Sequence, residues 1–183
     1  VENCKAREQF QDEKFGIFLH WGLYSMLARG EWVMHNEDIN FKEYAKLAQA
    51  FYPSCFNADA WVKAIRDSGA KYITITTRHH DGFSLFKTAT SSYNSVDGTP
   101  FKRDIIKELA EACKRHGIKL HLYYSHLDWG REDYPVGRTG RGTGRPKEKA
   151  NWPSYFQFMN TQLTELLTNY GEVGAIWFDG WWD

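Results

Sequence analysis

The sequence predicts a parallel α/β fold in which strands alternate with helices. Short apolar or β-branched runs alternate with amphipathic segments of helical length, and each connection is long enough for a right-handed crossover. Polar or aromatic side chains follow every predicted strand at its carboxyl end. Because the sequence contains neither a Gly-rich dinucleotide turn nor a phosphate-binding loop, a barrel is favoured over an open nucleotide-binding sheet.

The predicted strands are recognised by their residue types. The first is an apolar run that ends in His20 and Trp21, and the second is rich in β-branched residues. The last is a short apolar run that suits a strand buried on both faces. The predicted strands cover residues 14–22, 72–77, 118–125 and 175–178.

Capping and termination signals place the helices between these strands. Asn40 with Glu43 three residues later has capping-box spacing, and Pro53 stops the helix that follows. In the last helix, Phe156 and Leu167 belong to a set of apolar residues spaced for burial. The predicted helices cover residues 1–13 (with Phe10 as an anchor), 40–51, 57–69, 104–116 and 151–170, and the main predicted loops are 23–38 and 131–149.

The composition narrows the function classes. Lys plus Arg and Asp plus Glu both number 23, so the net charge of +0 favours neither nucleic acid nor an anionic membrane as a partner. The 183 residues suffice for one domain but fall short of the roughly 250 of a complete eight-stranded α/β barrel. Aromatic residues make up 16% of the chain and include 8 Trp, a residue that stacks on sugars, so carbohydrate is a candidate ligand.

Cysteine usage and the chain start say little about the compartment. Cys4, Cys55 and Cys113 are odd in number and widely spaced, which predicts free or buried thiols rather than a disulfide framework or a zinc knuckle. No apolar run approaches the roughly 20 residues that span a bilayer. The start lacks an initiator Met and a signal peptide, so we expect a processed or trimmed end.

The segment 174–183 is the expected centre of the chemistry. Asp179 stands at the carboxyl end of the last predicted strand and is followed at once by Gly180. Since side chains alternate along a strand, Trp177 and Asp179 are expected on one face, where an aromatic wall and a carboxylate suit the stabilisation of positive charge on a ring. The alternative is that Asp179 only caps a following turn, as Asp before Gly often does.

The pair His79-His80 admits more than one interpretation. With Asp81 it could form a metal site, although adjacent histidines reach one ion only where the strand has ended or bulged. Neutral histidines that bond sugar hydroxyls fit equally well, and a structural role for one of the pair remains open. Further metal ligands on this reading would be His20, His126 or Asp179.

Two loop features are less specific. Residues 138–145 alternate Arg and Gly as RNA-binding segments do, but the stretch is short and lies between well-formed elements, which favours a flexible surface loop. Glu31 beside Trp32 is, on these residues alone, a solvated loop charge.

Several motifs in a fixed order resemble the α-L-fucosidases of glycoside hydrolase family 29. They are residues 14–25 (KFGIFLHWGLYS), 30–32 (GEW), 79–83 (HHDGF), 123–125 (YYS) followed by 128–129 (DW), and 176–180 (IWFDG). The resemblance runs almost end to end. It implies an eight-stranded (β/α)8-like TIM barrel followed by a β-sandwich, so that residues 1–183, with four predicted parallel strands, are expected to be the amino-terminal half of the barrel.

The same resemblance implies a retaining exo-glycosidase that releases terminal α-L-fucose. Asp179 would be the nucleophile, and no metal or cofactor would be required. Fucose presents several hydroxyls and one methyl group, so its pocket needs neutral hydrogen-bonding groups and aromatic walls. The residues implied to bind the sugar are His20, Glu31, Trp32, His79, His80, Tyr124 and Trp177.

Double displacement also needs a second carboxyl group about 5 Å from the nucleophile, and in the family it comes from beyond residue 183. We therefore expect the remaining half of the domain as a partner, and residues 1–183 alone to be inactive and poorly soluble. The expected substrate is a fucosylated glycan, with neither nucleic acid nor membrane as a partner, and the expected compartment is secreted or periplasmic, or else lysosomal. Two alternatives remain, a catalytically inactive glycan-binding relative and a metal-dependent hydrolase that uses the His-His pair.

Overall fold

The computed structural model describes residues 2–182, which form one parallel sheet with helices in the connections. Val1, where the predicted lead-in helix begins, and Asp183, at the end of the expected catalytic segment, lie outside the described residues. The predicted parallel α/β order is confirmed, although the first strand is shorter than predicted. The strands, which pair in chain order, are β1 (Gly16–Leu19), β2 (Tyr72–Arg78), β3 (Lys119–Ser125) and β4 (Ala175–Asp179).

The helices follow the predicted order with two differences. The predicted loop 23–38 contains a short helix, and the predicted helix 40–51 breaks after one turn into a 3-10 segment. Asn40 accepts a hydrogen bond from the Lys42 amide, but Glu43 pairs with Lys46 at 2.5 Å instead of completing the capping box. The helices are α1 (Glu2–Glu13), α2 (Val33–Asn36), α3 (Phe41–Tyr44), α4 (Ala58–Asp67), α5 (Ile105–His116) and α6 (Trp152–Asn169).

The longer helices begin where the sequence places them. The side chains of Asn57, Asp104 and Asn151 each accept a hydrogen bond from the backbone amide three residues later, at 2.9–3.1 Å. Gly117 closes α5 in the left-handed conformation with φ of 65°. These caps fix where each crossover returns to the sheet.

The buried side of α6 agrees only in part with the predicted one: Leu166 is buried and Met159 and Leu163 pack against the core, as predicted. Phe156 and Leu167, predicted to be buried, are 48% and 49% exposed. The buried residues of the helix include Gln162, whose amide oxygen accepts a hydrogen bond from Tyr124. A prediction based on the spacing of apolar residues does not find this side of the helix, because one of its buried residues, Gln162, is polar.

The sheet has one covered face and one open face. Ile73, Ile75, Leu120 and Leu122 are buried on the face that packs against α4 and α5. On the opposite face, Phe18 and Trp177 are 40% and 54% exposed. The predicted anchor Phe10 of α1 packs there against Tyr72 and His121, with ring centroids 5.5 and 5.9 Å apart.

The open face corresponds to the interior of the predicted barrel. Within residues 2–182, β1 and β4 are the edge strands of the sheet. Four strands cannot close an eight-stranded barrel, because closure requires every strand to have two neighbours. The carboxyl ends of all four strands lie at the same edge of the sheet, since the strands are parallel.

A buried ion pair ties the ends of β2 and β3 to α6. The guanidinium of Arg78, at the end of β2, donates to the Asp128 carboxylate at 2.7 Å, and both side chains are almost inaccessible to water. The same guanidinium donates to the Ser125 carbonyl at 2.9 Å and to the Tyr155 hydroxyl at 2.8 Å. Asp128 also accepts from the Gly130 amide at 2.8 Å, so the pair organises the segment that follows β3.

We predict that Arg78→Met and Asp128→Leu each lower the free energy of unfolding by about 3–5 kcal/mol, because each leaves one charge buried and unpaired. The double variant is expected to lose less than the sum of the two single losses. The measurement is urea unfolding of the intact protein that carries this chain, with Lys63→Met and Asp67→Leu as matched controls. That pair is exposed on α4, and its loss should cost below about 1 kcal/mol. Additive losses for the buried pair would show that its charges are not coupled.

Candidate active site

The carboxylate of Asp179 is held in a defined position at the end of β4. Tyr123 donates its hydroxyl proton to Oδ2 of Asp179 at 2.6 Å, and the Gly180 amide donates to Oδ1 at 2.8 Å. The backbone carbonyl of the same residue accepts from the His126 amide at 2.8 Å. The Asp179 side chain retains 24% exposure, so it is both oriented and accessible.

Strand alternation gives this carboxylate an aromatic surround, as predicted. Trp177 and Asp179 lie on one face of β4, and β3 sets Tyr123 beside Trp177 in the parallel register. The ring of Phe18 packs against both aromatic partners, with centroids 5.4 Å from Trp177 and 6.0 Å from Tyr123. The site therefore opens onto the interior face of the sheet.

The two consecutive histidines converge because β2 has already ended at Arg78. The ring centroids of His79 and His80 are 4.1 Å apart, and both residues are buried. His79 stacks on Tyr123 with centroids 5.5 Å apart, and Nε2 of His80 lies 3.6 Å from Oδ2 of Asp179. Nδ1 of His79 has no hydrogen-bond partner among the described residues, so a polar group of a ligand would satisfy it.

The loops after β1 complete this cluster. The ring of His20 lies 5.4 Å from both His79 and Tyr123. Desolvation lowers the pKa of His20, while the negative charges of Glu31 and Asp179 act in the opposite direction. Trp32 stands edge-on to His80 at 5.4 Å. The structure thus places five of the predicted sugar-binding residues around Asp179; they are His20, Trp32, His79, His80 and Trp177. Glu31, also predicted, acts on this cluster through the pKa of His20.

Tyr124, the seventh predicted sugar-binding residue, does not face this site. It is fully buried on the other side of β3, where its hydroxyl donates to Gln162 at 2.8 Å and its ring lies 4.8 Å from the Arg78 guanidinium. The reason is strand alternation, because the register pairs Ser125 with Asp179 and therefore turns Tyr123 towards the site. The prediction for Tyr124 is wrong, and Tyr123 occupies the expected position.

The electrostatics keep His79 and Tyr123 neutral. Burial, followed by the neighbouring imidazoles of His80 and His20 and the charge of Arg78, holds the pKa of His79 well below its usual value, so this ring is uncharged at neutral pH. Burial and the Asp179 carboxylate raise the pKa of Tyr123, which therefore remains a proton donor.

Asp81 belongs to the turn rather than to the cavity. It accepts hydrogen bonds from the Tyr44 hydroxyl at 2.8 Å and the Phe83 amide at 3.1 Å, and burial raises its pKa to about 6. It therefore does not join the metal ligands with which the sequence groups it. His126, another suggested ligand, stacks on Phe178 with ring centroids 4.9 Å apart. Phe178 and Asp179 are consecutive in β4 and point to opposite faces of the sheet, so His126 packs on the face opposite to the Asp179 side chain.

A smaller ligand set remains available for a metal ion. Among the described residues, His79, His80 and Asp179 offer ligand atoms that all lie within 4.8 Å of one another. Two imidazoles and a carboxylate are a donor set that suits zinc. This geometry keeps the metal interpretation open as an alternative to sugar binding.

The Arg-Gly segment 138–145 is packed rather than free. Thr139 accepts a hydrogen bond from the indole of Trp129 at 2.9 Å, and the Gly140 amide donates to Nδ1 of His35 at 3.0 Å. Arg145 is buried and donates to the Asp128 carbonyl. Since Trp129 lies 5.1 Å from His80, the buried half of the segment supports the site from behind. Its other residues, Arg138, Arg141, Gly142 and Gly144, are exposed, as expected of a surface loop.

Comparisons with known proteins agree with this geometry. The family model described as Alpha-L-fucosidase matches residues 1–183. The chain belongs to the α-L-fucosidase family. A putative alpha-L-fucosidase of Caenorhabditis elegans is 34% identical over 100% of this chain and 39% of its own length. A plasma alpha-L-fucosidase of Rattus norvegicus is 34% identical over 93% of this chain and 39% of its own length.

Solved fucosidase structures show the same architecture. Alpha-L-fucosidase isoenzyme 1 from Paenibacillus thiaminolyticus superposes with a TM-score of 0.89 at 40% identity, over 97% of this chain and 44% of that one. Alpha-L-fucosidase AlfC from Lactobacillus casei, in complex with the alpha-L-fucose product, gives 0.86 at 36% identity, over 95% and 61%. The chain thus spans well under half of its curated relatives and forms part of the TIM-barrel catalytic domain of the fucosidases.

Proposed function

We propose that this chain supplies the nucleophile and part of the sugar pocket of a retaining α-L-fucosidase. The observation that carries the proposal is the 2.6 Å hydrogen bond that holds the Asp179 carboxylate beside His79, His80 and Trp177 in a family of fucosidases. Neutral imidazoles suit sugar hydroxyls, and the aromatic rings suit the apolar face and methyl group of fucose. Related structures hold Fuca(1,6)GlcNAc and 4-nitrophenyl-a-L-fucopyranoside, which supports a fucosylated glycan as substrate.

The proposed reaction is a double displacement. The ionised Asp179 carboxylate attacks the anomeric carbon as the glycosidic bond breaks, and the leaving oxygen takes a proton from an acid/base carboxyl about 5 Å away. The resulting fucosyl ester is then hydrolysed by water, which loses a proton to the same acid/base group, so that Asp179 is released as a carboxylate. Positive charge that develops on the ring in each transition state is met by the Asp179 side chain.

This mechanism requires more protein than residues 1–183. We propose that the acid/base residue and the remaining barrel strands come from a longer protein, followed by a β-sandwich domain. The exposed Phe18 and Trp177 on the open face of the sheet support this proposal. Residues 1–183 alone are then inactive and poorly soluble, because β1 and β4 leave unpaired edges.

The proposed compartment of the enzyme follows from its proposed substrate. Fucosylated glycans are met outside the cytosol, so we propose a secreted or periplasmic enzyme, or a lysosomal one. Among the described residues, no helix is long and apolar enough to cross a membrane. We propose that the enzyme binds neither nucleic acid nor a membrane.

Asp179→Asn is expected to lower kcat by at least about 10⁴-fold in the intact enzyme, because an amide cannot form the fucosyl ester. Binding of fucose should remain measurable by calorimetry, since the amide keeps the shape of the pocket. The assay is release of the aryl group from an aryl α-L-fucoside, and Asp67→Asn on the exposed face of α4 is the matched control. Near-normal turnover would remove Asp179 from its role, and a wild-type protein that binds fucose without turnover would favour the inactive glycan-binding alternative.

Chelation distinguishes the sugar site from a metal site built on His79, His80 and Asp179. We expect activity towards the aryl fucoside to be unchanged after dialysis against EDTA, because neutral imidazoles need no ion to bond hydroxyls. The measurement is kcat before and after dialysis, together with metal analysis of the purified protein. Loss of activity that added zinc restores would support the metal-dependent hydrolase instead.

A further inference from the structure

We infer that residues 139–144, within the Arg-Gly segment, form a clamp that positions Trp32 for sugar binding. The clamp acts through Trp129, a buried residue that contacts both Thr139 and Trp32. The role of the clamp in sugar binding rests on the proposed fucosidase function. The contacts that form the clamp belong to the chain itself.

Trp129 is the centre of an aromatic cluster behind the sugar site. Its side chain is fully buried, so it acts on a ligand only through its neighbours. Its ring centroid lies 5.3 Å from that of Trp32, 5.7 Å from His35 and 5.1 Å from His80. Its backbone amide also donates to the His80 carbonyl at 2.7 Å. Trp129 therefore sets the separation of two predicted sugar-binding residues, Trp32 and His80, which lie in the loops after β1 and β2.

Two residues of the clamp fix the Trp129 ring. The Thr139 hydroxyl accepts a hydrogen bond from Nε1 of the indole at 2.9 Å. Gly140 approaches the adjacent Cδ1 so closely that a methyl group on its Cα would overlap the ring. Gly140 has φ of 62°, a backbone conformation that glycine adopts without strain. One edge of the indole is thus held both by a hydrogen bond and by backbone packing.

The clamp also holds the segment that follows Trp32. The Gly140 amide donates to Nδ1 of His35 at 3.0 Å, and His35 lies in α2, three residues after Trp32. The next two glycines of the motif pack just as closely against the residues that follow α2; the contacts are Gly142 with Asp38 and Gly144 with Asn40. Close packing against Trp129 and residues 35–40 thus accounts for glycine at every second position of the clamp.

The nucleophile is held by other residues. Tyr123 and Gly180 donate to the Asp179 carboxylate, and neither belongs to the clamp or to the aromatic cluster around Trp129. A displaced Trp129 is therefore expected to weaken binding of the sugar more than it slows attack on the bound sugar. This pattern differs from a loss of folded protein, which lowers the apparent kcat and leaves KM unchanged.

The first test follows the indole N–H groups of the intact enzyme by ¹H–¹⁵N correlation, with Trp129 and Trp32 assigned from their Phe variants. We expect Thr139→Val to shift both resonances, because valine keeps the shape of threonine but cannot accept the indole proton, and the freed ring then moves against Trp32. Thr139→Ser, which retains the hydroxyl, should keep the wild-type positions. The matched control is Thr99→Val, since Thr99 is also buried and accepts a hydrogen bond, from the Phe101 amide at 3.2 Å. A Trp32 resonance that stays in its wild-type position in Thr139→Val would overturn the inference.

The second test separates KM from kcat on an aryl α-L-fucoside. Gly140→Ala places a methyl group against Trp129, and we expect KM to rise about tenfold, a loss of about 1.4 kcal/mol of binding. We expect kcat to stay within about threefold of the wild type, because the groups that hold Asp179 are untouched. The matched control is Gly117→Ala, since Gly117 has φ of 65° but a methyl group there meets no atom of the described residues within 4 Å. The control reproduces the backbone strain without the contact, so its KM should equal that of the wild type.

The outcomes separate the clamp from the proposed function. A wild-type KM in Gly140→Ala, or an equal rise of KM in Gly117→Ala, would contradict the clamp. If Gly140→Ala does not fold, Thr139→Val carries the kinetic test with the same expected rise in KM, and Thr139→Ser should retain the wild-type KM. If the wild type cleaves no fucoside, the proposed function fails, whereas the first test still decides whether the clamp positions Trp32.

Discussion

The site depends on the parallel register between β3 and β4. That register sets Ser125 beside Asp179 and Tyr123 beside Trp177, so that every second side chain of both strands reaches the interior face. A slip of one residue would exchange Tyr123 for Tyr124 and turn the phenol that orients the nucleophile into the packed layer between sheet and α6. The hydrogen bond from the His126 amide to the Asp179 carbonyl continues the pairing to the last residue of β4.

Several polar groups are buried at the carboxyl ends of the strands. The free energy lost by removing them from water is offset by specific hydrogen-bond and ion-pair partners. Arg78 would be costly to bury alone, but it meets Asp128, two backbone carbonyls and the Tyr155 hydroxyl. The same contacts fix the segment that carries Ser125, and through it the orientation of His80. Stability and function are therefore linked at this end of the sheet, whereas the opposite end contributes packing between α1 and the interior face.

Much of this arrangement can be predicted from the sequence, because strand alternation and capping are local. Asn57, Asp104 and Asn151 mark the helix starts, and the placement of Trp177 with Asp179 follows from a period of two. The choice between Tyr123 and Tyr124 requires the register of β3 against β4, which is a tertiary property that adjacent tyrosines do not reveal. Gln162 and the buried half of the Arg-Gly segment were missed for a related reason, since their burial is decided by partners distant in sequence, Tyr124 and Trp129.

The central claim is that an oxygen of Asp179 becomes bonded to the anomeric carbon of fucose. A crystal structure of the complete enzyme after reaction with a 2-deoxy-2-fluoro fucosyl fluoride tests it most directly, because the fluorine slows hydrolysis of the ester more than its formation. The account predicts a covalent bond between one carboxylate oxygen of Asp179 and the sugar. The Tyr123 hydroxyl is then still hydrogen-bonded to the other oxygen of that carboxyl group. A sugar attached to a different carboxylate, or seated in the pocket with no bond to Asp179, would contradict it.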